Sequence, residues 1–130
     1  EIDALRSKNI AYQVMPGLSS SVAGPHYAGI PLTDPLLTAD SFAVFSGTNA
    51  DGIGIGTDDG RGRNWQDLAV DTLVFLMIGR LDKLRQLCMK LMNDDSSRSG
   101  GGGGGRWTAE TPCAIVQSAG RAEQRVWRAT

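Results

Sequence analysis

The clearest hydrophobic pattern lies at residues 81–91, where Leu81, Leu84, Leu87, Cys88 and Leu91 recur every three or four positions. Arg80, Lys83, Arg85 and Lys90 fall largely off that stripe, so the segment predicts an amphipathic helix. Just before it, residues 72–78 are apolar at almost every position, the pattern of a strand covered on both faces, and Gly79 ends the run. Residues 41–46 and 113–117 predict two more strands, and residues 124–128 alternate as a half-exposed strand does. Near the start, Ile2, Leu5 and Ile10 fit one side of a helix, and residues 11–15 predict a short strand stopped by Pro16-Gly17. Ser19, Ser20 and Ser21 follow, and any of them can cap a helix that reaches Ala28, with Pro25 in its first turn.

Strand, tight turn and serine-capped helix form an α/β unit whose strand end faces a ligand crevice. The fold class expected is therefore α/β. Residues 30–35 resist regular structure, because Pro31 and Pro35 push their predecessors toward extended backbone, and they read as a linker between domains. Residues 49–63 are rich in Gly and Asp, and residues 93–106 hold a serine-arginine stretch followed by a glycine run. Both predict flexible loops inserted between well-formed elements.

Composition narrows the chemistry. The formal net charge of -1 gives no electrostatic footprint for nucleic acid. No apolar run is long enough to cross a bilayer, and the charged first residues do not form a signal peptide. Cys88 and Cys113 are too few for a disulfide framework or a zinc site, and their positions read as small core residues. His26 is the only histidine, so no His-based metal cluster and no histidine partner for Ser19 or Ser20 is available. Gly52, Gly54 and Gly56 miss the dinucleotide spacing by one position, and Asp51, Asp58 and Asp59 miss the calcium-loop spacing. No metal and no catalytic residue is predicted. What remains is a turn offering backbone N–H groups and small side chains. Such a surface suits a reaction that depends on alignment rather than on acid–base or covalent steps.

Residues 14–25 (VMPGLSSSVAGP) and 27–33 (YAGIPLT) closely resemble the uroporphyrinogen-III C-methyltransferases of the tetrapyrrole methylase family. Three further blocks keep the family's order: Phe45-Ser46-Gly47-Thr48, residues 71–79, and residues 111–117 with Gln124-Arg125. The resemblance implies a two-domain α/β fold with S-adenosylmethionine in the cleft. Residues 1–31 would be the end of the N-terminal cofactor domain and residues 32–130 most of the C-terminal α/β domain. The implied enzyme methylates uroporphyrinogen III to precorrin-2 in sirohaem and cobalamin synthesis, usually as a homodimer, in a cytoplasmic or plastid setting. Carried over by position, Ser19, Ser20, Met77 and Ala119 are the cofactor-binding residues. Each also has a plainer role, as a helix cap, a core methionine or an ordinary turn.

Two departures accompany the match. Where the family continues Pro-Leu-Thr-His-Arg, Thr33 is followed by Asp34-Pro35, which replaces two cations facing a substrate with eight carboxylates. The family's glycine-rich loop and Gly-Gly-Asp motif are expected upstream of Glu1, so this piece alone is expected to be inactive. The alternatives are a non-catalytic methylase-like binding or assembly module, and a sibling precorrin methyltransferase.

Overall fold

A computed structural model of the chain describes residues 1–47, 65–93 and 106–129. The two glycine-rich loops expected at 49–63 and 93–106, with Gly52, Gly54, Gly56, Asp51, Asp58 and Asp59, lie almost wholly outside the described residues. The elements in chain order are α1 (Ile2–Ser7), α2 (Ser20–Tyr27), β1 (Phe42–Ser46), a 3-10 turn (Trp65–Asp67), β2 (Thr72–Leu76), α3 (Leu81–Asn93), β3 (Cys113–Gln117) and β4 (Arg125–Ala129). Mixed helices and strands, including a parallel pair, fit the α/β class read from the sequence.

β1 and β2 pair in parallel, with Phe42 opposite Thr72 and Ser46 opposite Leu76. Phe45 and Phe75 are register partners, and their rings stack at 5.7 Å. Trp65, only 3% exposed, meets Phe45 edge-on at 5.0 Å and Phe75 at 5.4 Å. Rings in such offset and T-shaped pairs gain beyond the area they bury. α3 closes this side of the core with Leu87, which is 2% exposed. Gln66 ties the corner: its side-chain N–H group donates to the carbonyls of Leu91 and Trp107, and its oxygen accepts the Trp107 N–H at 3.0 Å.

The start of the parallel pair is held by Asp71. One carboxylate oxygen accepts the N–H groups of Asp40 and Ser41 and, at 2.6 Å, the Ser41 hydroxyl. The other accepts Arg106 Nη2 at 2.6 Å. The Ser41 hydroxyl above all, helped by the two backbone N–H groups and the Arg106 charge, holds the Asp71 carboxyl below its ordinary pKa.

Five expectations are corrected. Residues 11–15 form no strand, and Val14 and Met15 are exposed; an extended segment needs a neighbour to complete its ladder, and no described strand lies beside it. Pro25 sits inside α2, not in its first turn, because Ser19 is the cap and the helix begins at Ser20. β2 is half-buried throughout rather than fully covered, since among the described residues only β1 pairs with it. Leu81, at the exposed start of α3, leaves the apolar stripe to Leu84, Leu87 and Leu91. Cys88 and Cys113 are exposed, not core, for Cys88 lies off the Leu87 face and Cys113 opens β3 at the free end of its hairpin.

Candidate functional site

The site is built around α2. Ser19 has extended backbone, φ -79° and ψ 137°, and its hydroxyl accepts the Ser21 N–H at 3.3 Å, the geometry of an N-cap. The same oxygen shares a hydrogen bond of 2.6 Å with the Ser21 hydroxyl, which is buried. Ser20 is the first helical residue and exposed. The cap therefore occupies Ser19 and leaves the Ser20 hydroxyl at the open end of the helix.

At its other end α2 closes by a glycine-based motif. Gly29, with φ +65°, donates its N–H to the His26 carbonyl, and the Ile30 N–H reaches back to the Pro25 carbonyl. Only glycine enters this left-handed conformation without strain, so the AGI stretch ends the helix sharply. The last carbonyls still need donors, and the β3–β4 hairpin supplies two of them. Gln124 Nε2 donates to the Tyr27 carbonyl at 3.2 Å, and Arg128 Nη2 to the Ala28 carbonyl at 2.5 Å.

Ala119 stands in the turn of that hairpin, half-buried between Ser118 (φ +52°) and Gly120 (φ +74°). The Gly120 backbone rests on the Tyr27 ring, where an added Cβ would stand 2.9 Å from Cε2. Met77 follows the last residue of β2 and has φ +63°, outside the range a strand residue adopts, with its side chain 72% exposed. α2 also packs against β2.

The four residues expected to bind a cofactor are thus carried by three segments that share α2 as a neighbour. The structure does not bring them into one hydrogen-bonded cluster. Ser19 and Ser20 are at one end of α2 and the Ala119 turn is at the other, roughly 12 Å away along an eight-residue helix. A ligand that met both would have to be elongated. A groove of about 430 Å³ lies elsewhere, lined by Thr38, Asp71, Arg106, Trp107 and Glu110 among others, and by none of the four.

The meeting of Tyr27 with Gly120, Gln124 and Arg128 was not legible in the sequence. Their contacts span nearly 100 positions, and no local pattern announces them. Asp34, one of the two departures near the linker, opens a tight turn: its carboxylate accepts the Leu36 N–H at 2.9 Å and its backbone pairs with Ala39. Among the described residues no cluster of three or more His, Cys, Asp or Glu could hold a metal ion, and no helix is long and apolar enough to cross a membrane. Burial first, then the neighbouring Cys113, pushes the Cys88 thiol above its ordinary pKa, the wrong direction for a nucleophile.

The model of the tetrapyrrole (corrin/porphyrin) methylases matches residues 1–130. A uroporphyrinogen-III C-methyltransferase of Synechococcus elongatus is 34% identical over 127 residues, covering 97% of this chain and 42% of the relative. One of Methanocaldococcus jannaschii is 32% identical over 132 residues, covering all of this chain and 46% of the relative. A siroheme synthase of Pseudomonas aeruginosa is 36% identical over 132 residues, again the whole of this chain but 24% of the relative. The chain spans less than half the length of these curated relatives. No solved structure matches it significantly.

Proposed function

The chain belongs to the tetrapyrrole (corrin/porphyrin) methylase family, and on that premise we propose that its protein transfers methyl groups from S-adenosylmethionine to uroporphyrinogen III, giving precorrin-2. The observation that carries the reading is the sharing of α2. The serine-capped start of this helix, Met77 just past the strand β2 that packs against it, and the Ala119 turn docked on its last turn are the segments that the resemblance assigns to the cofactor. In this reading residues 1–31 close the cofactor domain, residues 32–130 belong to the second α/β domain, and the protein is a homodimer of the cytoplasm or a plastid.

S-adenosylmethionine, when bound, supplies an electrophilic methyl group whose transfer leaves a neutral thioether. The chain's own part is to hold and orient. The hydroxyl and backbone N–H of Ser20, at the open end of α2, are donors suited to a carboxylate or a ribose oxygen. Met77 and Ala119 offer apolar surface without competing nucleophiles. Alignment of donor and acceptor carbon can contribute about 7–11 kcal/mol to such a reaction.

Asp34 and Pro35 favour one variant of the reading. They stand where the resembled family has His-Arg, and an acid there opposes a substrate with eight carboxylates, so a sibling precorrin with altered carboxylate contacts is the second reading. The test, made on this chain together with the glycine-rich loop expected upstream of it, is methyl transfer from labelled S-adenosylmethionine to uroporphyrinogen III and, separately, to precorrin-2. Label in precorrin-2 supports the first reading, and label only in the later product supports the second. No transfer to either, with the cofactor still bound, would point to a non-catalytic binding module.

A further inference from the structure

Gln124 bonds to two of the segments assigned to the cofactor pocket. Its oxygen accepts the Gly120 N–H at 2.8 Å, inside the turn that carries Ala119. Its nitrogen donates to the Tyr27 carbonyl at 3.2 Å, in the last turn of α2. The turn itself has two residues in the left-handed region, Ser118 and Gly120, and the first of these is not a glycine. A conformation of that kind persists only where its surroundings hold it.

Further contacts converge on the same place. The Tyr27 ring fills the space a Cβ on Gly120 would need, which fixes how closely the turn approaches the helix. Arg128 holds the adjacent Ala28 carbonyl and keeps β4 against the helix. Backbone bonds from Arg121 to Ser118 and from Gln124 to Arg121 then set the path of the turn between its anchors.

We propose that Gln124 is a positioning residue for the cofactor: by clamping the Ala119 turn to the end of α2 it sets the distance between the Ala119 wall and the serine-capped end of the helix. This role rests on the cofactor reading of Ser19, Ser20 and Ala119. Only a neutral amide performs it. Glutamate at this position keeps an acceptor for Gly120 but has no N–H for Tyr27, and its negative charge would face a carbonyl oxygen. Methionine keeps the length and loses both bonds.

The experiment uses this chain together with the glycine-rich loop expected upstream of it, with S-adenosylmethionine binding measured by calorimetry and exchange of the Gly120 amide followed by NMR. Gln124→Met and Gln124→Glu are each expected to weaken cofactor binding about tenfold, the effect of one hydrogen bond in a fitted pocket. Gly120 exchange is expected to accelerate by a similar factor in Gln124→Met and to change much less in Gln124→Glu, which retains the acceptor. Gly120→Ala displaces the same turn from the Tyr27 side, so the double variant Gln124→Met/Gly120→Ala should bind no worse than the weaker single variant. Unchanged affinity in both Gln124 variants, or unchanged Gly120 exchange in Gln124→Met, would overturn the role while leaving the cofactor reading intact. Failure of the unaltered protein to bind S-adenosylmethionine would overturn that reading, and this role with it.

Discussion

Replacing Gly47 with alanine probes how the end of β2 is held. Gly47 is buried just past β1, and its N–H donates to the Leu76 carbonyl at 2.5 Å, one rung beyond the last register pair. An ideal Cβ on this residue would lie 2.5 Å from that carbonyl oxygen and would also press on the Ile78 side chain. A backbone carbonyl in a ladder cannot swing aside as a side chain can, so the rung must open. Its loss costs about 1 kcal/mol. The overpacking adds roughly 1–3 kcal/mol, for a total of roughly 2–4 kcal/mol. Against a stability of about 5–15 kcal/mol for an ordinary domain, that is a large fraction. At about 4 °C per kcal/mol for a chain of this size, Tm should fall by roughly 8–16 °C. Circular dichroism on heating gives the shift, and urea unfolding gives the free energy. In an Ile78→Ala background the same change should cost less, because half of the obstruction has been removed, but not nothing, because the Leu76 carbonyl remains. A Tm within about 2 °C of the unaltered protein would refute the reasoning and show that β1 and β2 separate freely at this end.

The same measurements check three other expectations. Leu87→Ala should destabilise by about 2–5 kcal/mol, since a nearly inaccessible leucine leaves a cavity under α3; a cost below about 1 kcal/mol would mean that α3 is not seated as described. Ser19→Ala should cost about 1 kcal/mol through loss of the helix cap, and Ser19→Gly only a few tenths. Equal costs for the two would rule out capping as the cause. Asp71 has a folded pKa below its ordinary value, so its stabilising effect is fully present above the unfolded pKa of about 3.9 and disappears as pH falls through the lower folded value. Stability of the unaltered protein should therefore decline more steeply than that of Asp71→Asn below about pH 4. Parallel pH profiles for the two would contradict the Ser41 and Arg106 assignment.

Local physics made much of the chain legible. The leucine spacing in α3 fixes one face of a helix whatever lies opposite, and runs such as Phe42–Ser46 and Cys113–Gln117 favour extended backbone because their β-branched and aromatic residues fit it. A serine ahead of α2 was readable as a cap because the bond it makes reaches only two residues. The resemblance then named four cofactor positions, and the structure gives three of the four a distinct local geometry: the cap at Ser19, the left-handed Met77 and the Ala119 turn.

Exposure and long-range contact were decided only in three dimensions. The pattern that marked Leu81, Cys88 and Cys113 as core residues is a statement about periodicity, whereas burial depends on what packs opposite, and all three remain exposed. Residues 11–15 have the composition of a strand, but no strand among the described residues lies beside them to complete their hydrogen bonds. The meeting of Tyr27 with Gly120, Gln124 and Arg128 follows from carbonyls left open where α2 ends, and the hairpin that supplies the donors lies about 100 residues away. Sequence sets which groups will need partners, because that follows from the local backbone. Tertiary structure sets which partners they receive, because that depends on where the chain brings distant residues together.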